Sequence, residues 1–193
     1  MTKEKTIRAV YDEETITVYQ AYNKSIALSA VAKQTFVSPP FKMERMTWIK
    51  PSFLWTMYRS GWATKEDQEY ILAIKIKREG FEWALRNACL SKYDHTIYPS
   101  SAAWSKQLKI SPARVQWDPE RDIDLHALPH RAIQVGITGI AVEKYVNEWI
   151  TQIDDITARV QHIRELVKTG KREEALSLLP DEQPYLLPDL KLG

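Results

Sequence analysis

A chain of 193 residues with 44% hydrophobic and 27% charged residues has the length and composition of one ordinary globular domain. These values exclude collagen-like, intrinsically disordered and disulfide-rich proteins. The formal net charge of +2 is close to neutral, so the chain lacks the strong basicity typical of non-specific DNA-binding proteins.

The first half of the chain alternates predicted strands and helices. β-branched and aromatic residues indicate the strands, and apolar residues at helical spacing indicate the helices. Asn23 fits the N-cap of the first helix, Pro51 the first turn of the second, and Gly61 its end. The predicted elements are strands at 6–11 and 15–22, a helix from 24 to about 34, extended residues 46–49, a helix at 51–59, a strand at 69–77 and a helix at 78–90.

The second half of the chain predicts a short helix, two strands and three further helices. Asp118 and Pro119 end the first of these strands, and the acid-rich run 118–124 is typical of a solvated loop rather than a metal site. Gly170 fits the position after the penultimate helix. The elements are a helix at about 102–108, strands at 114–117 and 131–137, helices at 140–153, 156–169 and 171–179, and an extended arm at 180–193 that packs on the body.

This order of elements predicts an α+β fold with a mixed, mostly antiparallel β-sheet, whole or split, flanked by helices. The chain shows no internal repeat and no linker. We therefore expect a single domain over residues 1–193, with an α+β core at 1–154 and a C-terminal helical pair and tail at 155–193.

The sequence favours a cytoplasmic protein. Cys89 is the only cysteine, so no internal disulfide forms, and its helical context favours a buried hydrophobe over a reactive nucleophile. The N-terminus is charged and lacks the apolar region of a signal peptide. No apolar run approaches the ~20 residues that span a bilayer, so we expect no membrane partner.

Several familiar catalytic motifs are absent. Neither phosphate-binding pattern, Gly-x-Gly-x-x-Gly or Gly-x-x-x-x-Gly-Lys-Ser/Thr, occurs in the sequence. With only six glycines in the chain, a glycine-rich phosphate-binding loop is not expected. No serine stands in a Gly-x-Ser-x-Gly turn. His126 and His130 have helical zinc spacing, but Pro129 places them in a strand or loop, where their rings diverge. We expect no metal.

One stretch combines aromatic and basic residues, and we call residues 40–62 the aromatic-basic segment. Between 41 and 65, five cations face a single acid, Glu44. Aromatic faces with interleaved cations suit a base or nicotinamide ring together with phosphates. The alternative, in which the aromatics are core and the cations a solvated rim, is about as well supported. The segment contains Trp48, Trp55, Tyr58 and Trp62 alongside Lys42, Arg45, Lys50 and Arg59, with Lys65 just beyond.

Two glutamines stand within apolar strands. Gln20 and Gln134 would each be costly to bury without hydrogen bonds. Two inward polar groups on two strands indicate a shared polar pocket. Pairing of structural amides, or exposure on a wet sheet face, is the alternative.

Six stretches of the chain are distinctive motifs. They are Ile7-Arg-Ala-Val-Tyr-Asp12, Val18-Tyr-Gln-Ala-Tyr22, Arg45-Met-Thr-Trp-Ile-Lys-Pro-Ser-Phe-Leu-Trp55, Met57-Tyr-Arg-Ser-Gly-Trp62, Val115-Gln-Trp-Asp-Pro-Glu-Arg121 and Pro129-His-Arg-Ala-Ile-Gln134. In these motifs the chain resembles the family of unknown function numbered 4291, found in bacteria and fungi. The resemblance covers nearly the whole chain and implies no function.

More distantly, the order of elements resembles the split β-sheet core of the ADP-ribosyltransferase superfamily. There, one strand presents a His or Arg to NAD, a second leads through Ser or Tyr into a helix, and a late strand supplies a Glu. The resemblance implies Arg8 or Gln20, residues 47–52 and Gln134 as matching positions. A glutamine in the last position would bind a ribose hydroxyl without acting as an anion, unless Glu120 takes the catalytic role.

We therefore expect an NAD-binding, ADP-ribosyltransferase-like protein whose acceptor is a nucleic-acid base, a protein or a small molecule. Trp48 or Tyr22 would stack on the nicotinamide, and cations would hold the pyrophosphate. Glu120 and Gln134 are the catalytic candidates. The candidates for binding the nucleotide are Arg8, Gln20, Tyr22, Arg45, Trp48, Lys50, Ser52 and Arg59.

Two alternatives belong to other classes. A non-enzymatic module would use the aromatic-basic segment to bind a nucleotide or single-stranded nucleic acid, with affinity that falls as salt rises. A structural or partner-binding protein would bury the same aromatics as core, without a nearby cleft.

Overall fold

The computed structural model describes residues 4–187, which form an α+β domain with mostly antiparallel sheets, as the sequence predicts. The strands are β1 (Arg8–Ala9), β2 (Thr15–Tyr22), β3 (Thr47–Ile49), β4 (Tyr70–Lys77), β5 (Ala88–Leu90), β6 (Ala113–Arg121), β7 (Ala127–Ile137), β8 (Ile150–Asp155) and β9 (Gln183–Pro184). The helices are α1 (Lys24–Lys33), α2 (Phe53–Ser60), α3 (Arg78–Arg86), α4 (Ser101–Ile110), α5 (Ile140–Lys144), a π-helical turn (Tyr145–Trp149), α6 (Thr157–Lys168) and α7 (Arg172–Ser177).

The first sheet has three antiparallel strands in the order β2-β4-β8. β2 and β4 pair along their full length, from Thr15 opposite Lys77 to Tyr22 opposite Tyr70. Both strands are rich in β-branched and aromatic residues, which pack well on a pleated surface. Gln20 and Tyr22 lie at the C-terminal end of β2 in this sheet.

The second sheet has four strands in the order β3-β7-β6-β5, with β5 parallel to β6. It meets the first sheet where the Tyr19 backbone N–H donates to the carbonyl oxygen of Lys50 over 2.7 Å. This backbone contact joins the two larger sheets, and β1 and β9 form a third, two-stranded sheet. Because Lys50 directly follows β3, this contact lies at the point where the aromatic-basic segment leaves the second sheet.

The hydrophobic core has two parts, one on each side of the first sheet's plane. The larger part fills the space between the two sheets and the helices α1, α3 and α5. The smaller part lies under α2, where Phe53 and Met57, one turn apart, pack with Tyr19 of β2 and Ile163 of α6. Complete burial of a side chain such as Phe53 or Met57 stabilises the fold by about 1.5–3 kcal/mol.

The C-terminal arm packs on the body, as predicted for its described part. β9 pairs antiparallel with β1, and the Tyr185 backbone N–H donates to the Ile7 carbonyl oxygen over 2.8 Å. The buried Tyr185 ring contacts Tyr11 and Phe81 edge-on. The remainder of the predicted arm, residues 188–193, lies outside the described residues.

Two helix predictions were too long. The helix predicted at 140–153 ends at Trp149, and residues 150–155 form β8 against β4, because pairing there buries Ile153 and satisfies the backbone. The helix predicted at 78–90 ends at Arg86, so Cys89 lies in strand β5 and not in a helix. Cys89 is buried in that strand, in line with the hydrophobic role expected for it.

Two boundary predictions were also wrong. Helix α2 starts at Phe53 and not at Pro51, because the Ser52 side chain caps it by accepting from the Trp55 backbone N–H. The acidic run after residue 117 is not a solvated loop at its start, because β6 continues to Arg121 with a register shift after Pro119. Glu120 is therefore buried. Within residues 4–187, no helix is both long and apolar enough to cross a membrane.

Candidate functional site: an aromatic-basic cleft

A cleft of about 800 Å³ lies where the two sheets meet. Its walls come from β2, β3, α2 and the facing strands β6 and β7, together with the loops before α1 and β3. This volume is in the upper part of the range for small-molecule and cofactor sites. The aromatic-basic segment supplies much of the lining, with Trp48, Lys50, Trp55 and Arg59.

The structure brings most of the predicted nucleotide-binding residues together. Gln134, the second catalytic candidate, also lines the cleft and lies on β7. Arg8, Ser52 and Glu120 are not among the lining residues. The predicted residues that line the cleft are Gln20, Tyr22, Arg45, Trp48, Lys50 and Arg59.

Gln20 is fully hydrogen-bonded within the protein. Its Nε2 donates to the Tyr22 hydroxyl and to the Trp48 carbonyl oxygen, both over 3.1 Å. Its Oε1 accepts from the buried Tyr145 hydroxyl over 2.7 Å. Burial raises the pKa of the Tyr22 and Tyr145 phenols, so both stay protonated as donors. Gln20 therefore holds β3 and Trp48 in place from beneath.

Asp118 orients two glutamines at the opposite wall. It accepts from Gln134 Nε2 over 2.6 Å and from Gln116 Nε2 over 3.0 Å. Gln116 and Gln134 are direct partners across β6 and β7. Because the Gln134 Nε2 donates to the carboxylate, the side-chain Oε1 of Gln134 is left as an acceptor. A hydroxyl group of a ligand would donate a hydrogen bond to this oxygen.

The cations of the cleft are free of acidic partners. No ion pair among residues 4–187 includes any of them. In the described part of the chain, one acid, Asp67, lines the cleft, and its Oδ1 accepts from Asn23 Nδ2 over 3.3 Å. A concave surface with unbalanced positive charge concentrates anions. The four cations are Lys42, Arg45, Lys50 and Arg59.

Lys50 is the most enclosed of these cations. Its Nζ donates to the Trp48 carbonyl oxygen over 3.2 Å and lies 5.7 Å from the centroid of the Trp55 ring. Burial and the nearby Arg59 cation lower the pKa of Lys50 to about 8, while Asp118 opposes the shift. A substantial fraction of the amine is therefore neutral in mildly alkaline solution.

Trp48 is a partly buried ring supported from below. It pairs with Gly136 across β3 and β7, and a Cβ at position 136 would lie 2.9 Å from Trp48 Cζ2. The ring therefore packs directly on the β7 backbone. Because the ring is only partly buried and lines the cleft, it is available for stacking.

The remaining predicted residues form a separate carboxyl cluster at the start of α2. Ser52 Oγ donates to Glu120 Oε1 over 2.8 Å, and the Phe53 backbone N–H donates to Glu182 Oε1 over 2.7 Å. Arg8 Nη2 donates to the Glu182 carbonyl oxygen over 2.8 Å. Burial raises the pKa of both carboxyls, that of Glu182 to about 8, and the Glu120 charge adds to the rise at Glu182. Here Glu120 binds the protein's own groups.

The structure also brings together one group of potential metal ligands within residues 4–187. Ligand atoms of Asp122, Asp124 and His126 lie within 4.8 Å of one another. Asp124 is bound by Arg172, and His126 Nδ1 lies 3.5 Å from an Asp122 oxygen. The three residues are largely exposed and occupied by these contacts. His130 is not part of this group.

Three residues of the site escaped the sequence reasoning. Tyr145 is 125 residues from its partner Gln20, and its place in an apolar helical pattern gives no sign of a polar role. Glu182 lies on an arm expected only to pack. Asp118 was assigned to a loop, although the spacing of Gln116 and Asp118 on one strand face would have signalled a shared polar wall.

Fold and cleft define an α+β protein with an aromatic-basic, ligand-sized cleft between two sheets. Residues 6–185 match the model of the family described as Domain of unknown function (DUF4291), and the chain belongs to this family. A comparison with curated proteins finds no match.

Proposed function

We propose that the cleft binds a nucleotide, with NAD as its ligand, and that the protein is ADP-ribosyltransferase-like. The observation that carries the proposal is a set of four cations that line one cleft with Trp48 and Trp55 and form no ion pair within residues 4–187. A protein gains nothing for its own folding by gathering like charges without partners. A ligand with phosphates and flat rings accounts for both features.

The pyrophosphate, one ring and one ribose of NAD each have a matching group in the cleft. The exposed Arg45 and Arg59 side chains suit the pyrophosphate, because guanidinium groups form paired hydrogen bonds with phosphate oxygens. Trp48 suits a stacked nicotinamide or adenine ring. The side-chain Oε1 of Gln134 suits a ribose hydroxyl, which would donate a hydrogen bond to it.

Transfer of ADP-ribose breaks the bond between ribose C1′ and the nicotinamide nitrogen, which leaves with the electron pair. The acceptor then forms a bond to C1′ and loses a proton. Positive charge develops on the ribose, and a negative or polarised oxygen stabilises it. Of the two catalytic candidates, Gln134 lines the cleft, and the Asp118 carboxylate polarises its amide. A polarised amide stabilises such charge less than a carboxylate, so we expect slow turnover.

The test measures NAD binding and nicotinamide release separately. Saturation-transfer NMR with NAD should show binding that is abolished in Trp48→Ala and weakened about tenfold or more in Arg59→Gln. Lys106→Gln, on the exposed face of α4, serves as the control and should bind as wild type. Absence of transfer at millimolar NAD would contradict the proposal. Binding without nicotinamide release in the presence of acceptors would retain the ligand and reject the transferase chemistry.

A second candidate is a non-enzymatic module for nucleotides or single-stranded nucleic acid. It is favoured by the same cleft's shortage of carboxylates within the described residues, since Asp67 is engaged by Asn23. Oligonucleotide titrations at several salt concentrations distinguish the two, because counterion release gives nucleic-acid binding a steep salt dependence.

A further inference from the structure

Three properties come together at Lys50. It lines the cleft, its Nζ has a fixed position through the Trp48 carbonyl oxygen, and it lies near the Trp55 ring. No carboxylate among residues 4–187 forms an ion pair with it. An amine that donates one hydrogen bond to a carbonyl keeps its lone pair available when it is neutral.

The surroundings of Lys50 favour the neutral amine. Desolvation and the Arg59 cation both disfavour the charged form, and they bring the pKa down to about 8. An ordinary lysine, with a pKa of about 10.4, is neutral only to about one part in a thousand near neutral pH. Lowered pKa values of this kind are how proteins turn lysine into a nucleophile toward carbonyl carbons.

We propose that Lys50 is a carbonyl-reactive amine that forms an imine with a phosphorylated aldehyde bound in the cleft. The inference rests on the proposed function only in treating the cleft as an anion-binding site. Arg45 and Arg59 would hold the phosphate, and the aldehyde carbon would face Nζ. Both requirements come from residues that line one cavity.

The step balances without an added oxidant or reductant. The lone pair of the neutral Nζ amine attacks the carbonyl carbon, the C=O π electrons move to oxygen, and one Nζ proton transfers to that oxygen. The nitrogen lone pair of the carbinolamine then forms the C=N bond as the hydroxyl group leaves, and the second Nζ proton is lost to this hydroxide to give water. The products are one imine and one water molecule, and the reaction is reversible by hydrolysis.

Pyridoxal 5′-phosphate is the probe, because it carries an aldehyde, an aromatic ring and a phosphate, and its imines absorb visible light. Wild-type protein is incubated with the probe, the imine is reduced with borohydride, and modified peptides are identified by mass spectrometry. We expect modification of Lys50 at least about tenfold faster than of Lys106, which is exposed on α4. Pyridoxal without the phosphate should require a concentration at least about tenfold higher.

Two variants sharpen the experiment. Lys50→Arg keeps the positive charge but removes the nucleophile, so the fast modification should disappear, whereas Lys106→Arg should retain it. If Lys50→Arg does not fold, peptide mapping of the wild type still decides the question. Modification spread over surface lysines, with Lys50 no faster than Lys106, would overturn the inference.

NAD binding and Lys50 modification are measured separately, so the two proposals can fail independently. Protection of Lys50 by NAD would support a shared site. Fast modification of Lys50 in a protein that shows no NAD binding would support the reactive amine and reject NAD as the ligand. A protein that binds NAD but leaves Lys50 unmodified would support the proposed function and overturn this inference.

Discussion

The indole of Trp48 lies on the backbone of Gly136, its partner on β7, with no room for a side chain between them. A Cβ at position 136 would lie 2.9 Å from Trp48 Cζ2 and 3.0 Å from Met46 Sδ. Such distances are too short for real Cβ contacts, so the glycine fixes the height of the ring in the cleft. A residue without a side chain thus shapes the proposed stacking surface.

The first prediction concerns this support. Gly136→Ala should push the Trp48 ring outward and weaken NAD binding about fivefold or more, since stacking on one aromatic contributes about 1–3 kcal/mol. Isothermal titration calorimetry measures the loss, and the thermal midpoint reports any effect on the fold. The smaller ring in Trp48→Phe leaves space for the methyl group. Adding Gly136→Ala to Trp48→Phe should therefore cost less affinity than Gly136→Ala alone. Equal losses in both backgrounds would contradict the steric argument.

The second prediction concerns the two charges that bear on Lys50. Arg59 lowers the pKa of Lys50 and Asp118 raises it, so their removal should shift the pKa in opposite directions. Arg59→Gln should move the pH midpoint of Lys50 modification upward, and Asp118→Asn should move it downward. The midpoint is read from reductive modification between pH 6 and 10 with a small uncharged aldehyde as reagent. Lys106 in the same samples is the internal control. A shift of the same sign in both variants would show that the charges do not act on Lys50 as argued.

Local patterns predicted much of the framework. Strand β2 has the predicted bounds, Asn23 caps α1 as expected, and Gly61 ends α2. The density of cations and aromatics in the aromatic-basic segment pointed to the place where the cleft lies. These features depend on residues close in sequence, for which spacing and turn chemistry are sufficient.

The parts that failed depend on long-range pairing. Residues 150–155 have the apolar spacing of a helix, but they form strand β8 because they pair antiparallel with the free edge of β4. Similarly, nothing near Glu120 in sequence shows that Ser52 is its partner, because 68 residues separate them. The sequence therefore indicated Glu120 as a suitable catalytic carboxylate, but it could not show that Ser52, the N-cap of α2, donates a hydrogen bond to it.

The third prediction concerns packing of α3. A Cβ on Gly80 would lie 2.4 Å from Trp149 Cγ, inside a buried and rigid ring. Alanine in place of glycine within a helix adds up to about 1 kcal/mol of intrinsic stability. Overpacking of this severity costs about 1–3 kcal/mol or more, so the net effect of Gly80→Ala should be destabilising. Urea denaturation measures it. In a Trp149→Leu background, Gly80→Ala should cost less stability than it does in the wild type, because the ring that it meets is gone. A stabilised Gly80→Ala single variant would contradict the close contact.

The last prediction concerns the pH dependence of stability at Glu182. Among the described residues, the Phe53 N–H, Arg8, the Glu120 carboxyl and the Tyr19 phenol lie close enough to interact with its carboxyl. Its pKa is about 8 in the folded protein, against an ordinary value of 4.5. Between these two values the folded chain holds a proton that the unfolded chain has lost. The contribution of Glu182 is therefore complete below pH 4.5 and is lost as the pH rises through about 8, by at most about 1.4 kcal/mol per pH unit.

Glu182→Gln should flatten this slope. The glutamine Oε1 still accepts from the Phe53 N–H but carries no charge at any pH, so the variant should be less sensitive to pH between 5 and 8. Denaturant midpoints at four pH values in this window test the difference. Glu173→Gln, an exposed change on α7, is the control and should keep the wild-type slope. A residual slope is expected, because burial also raises the pKa of Glu120. An unchanged slope in Glu182→Gln would mean that the arm carboxyl is ionised throughout the window, and that the carboxyl cluster does not hold the proton.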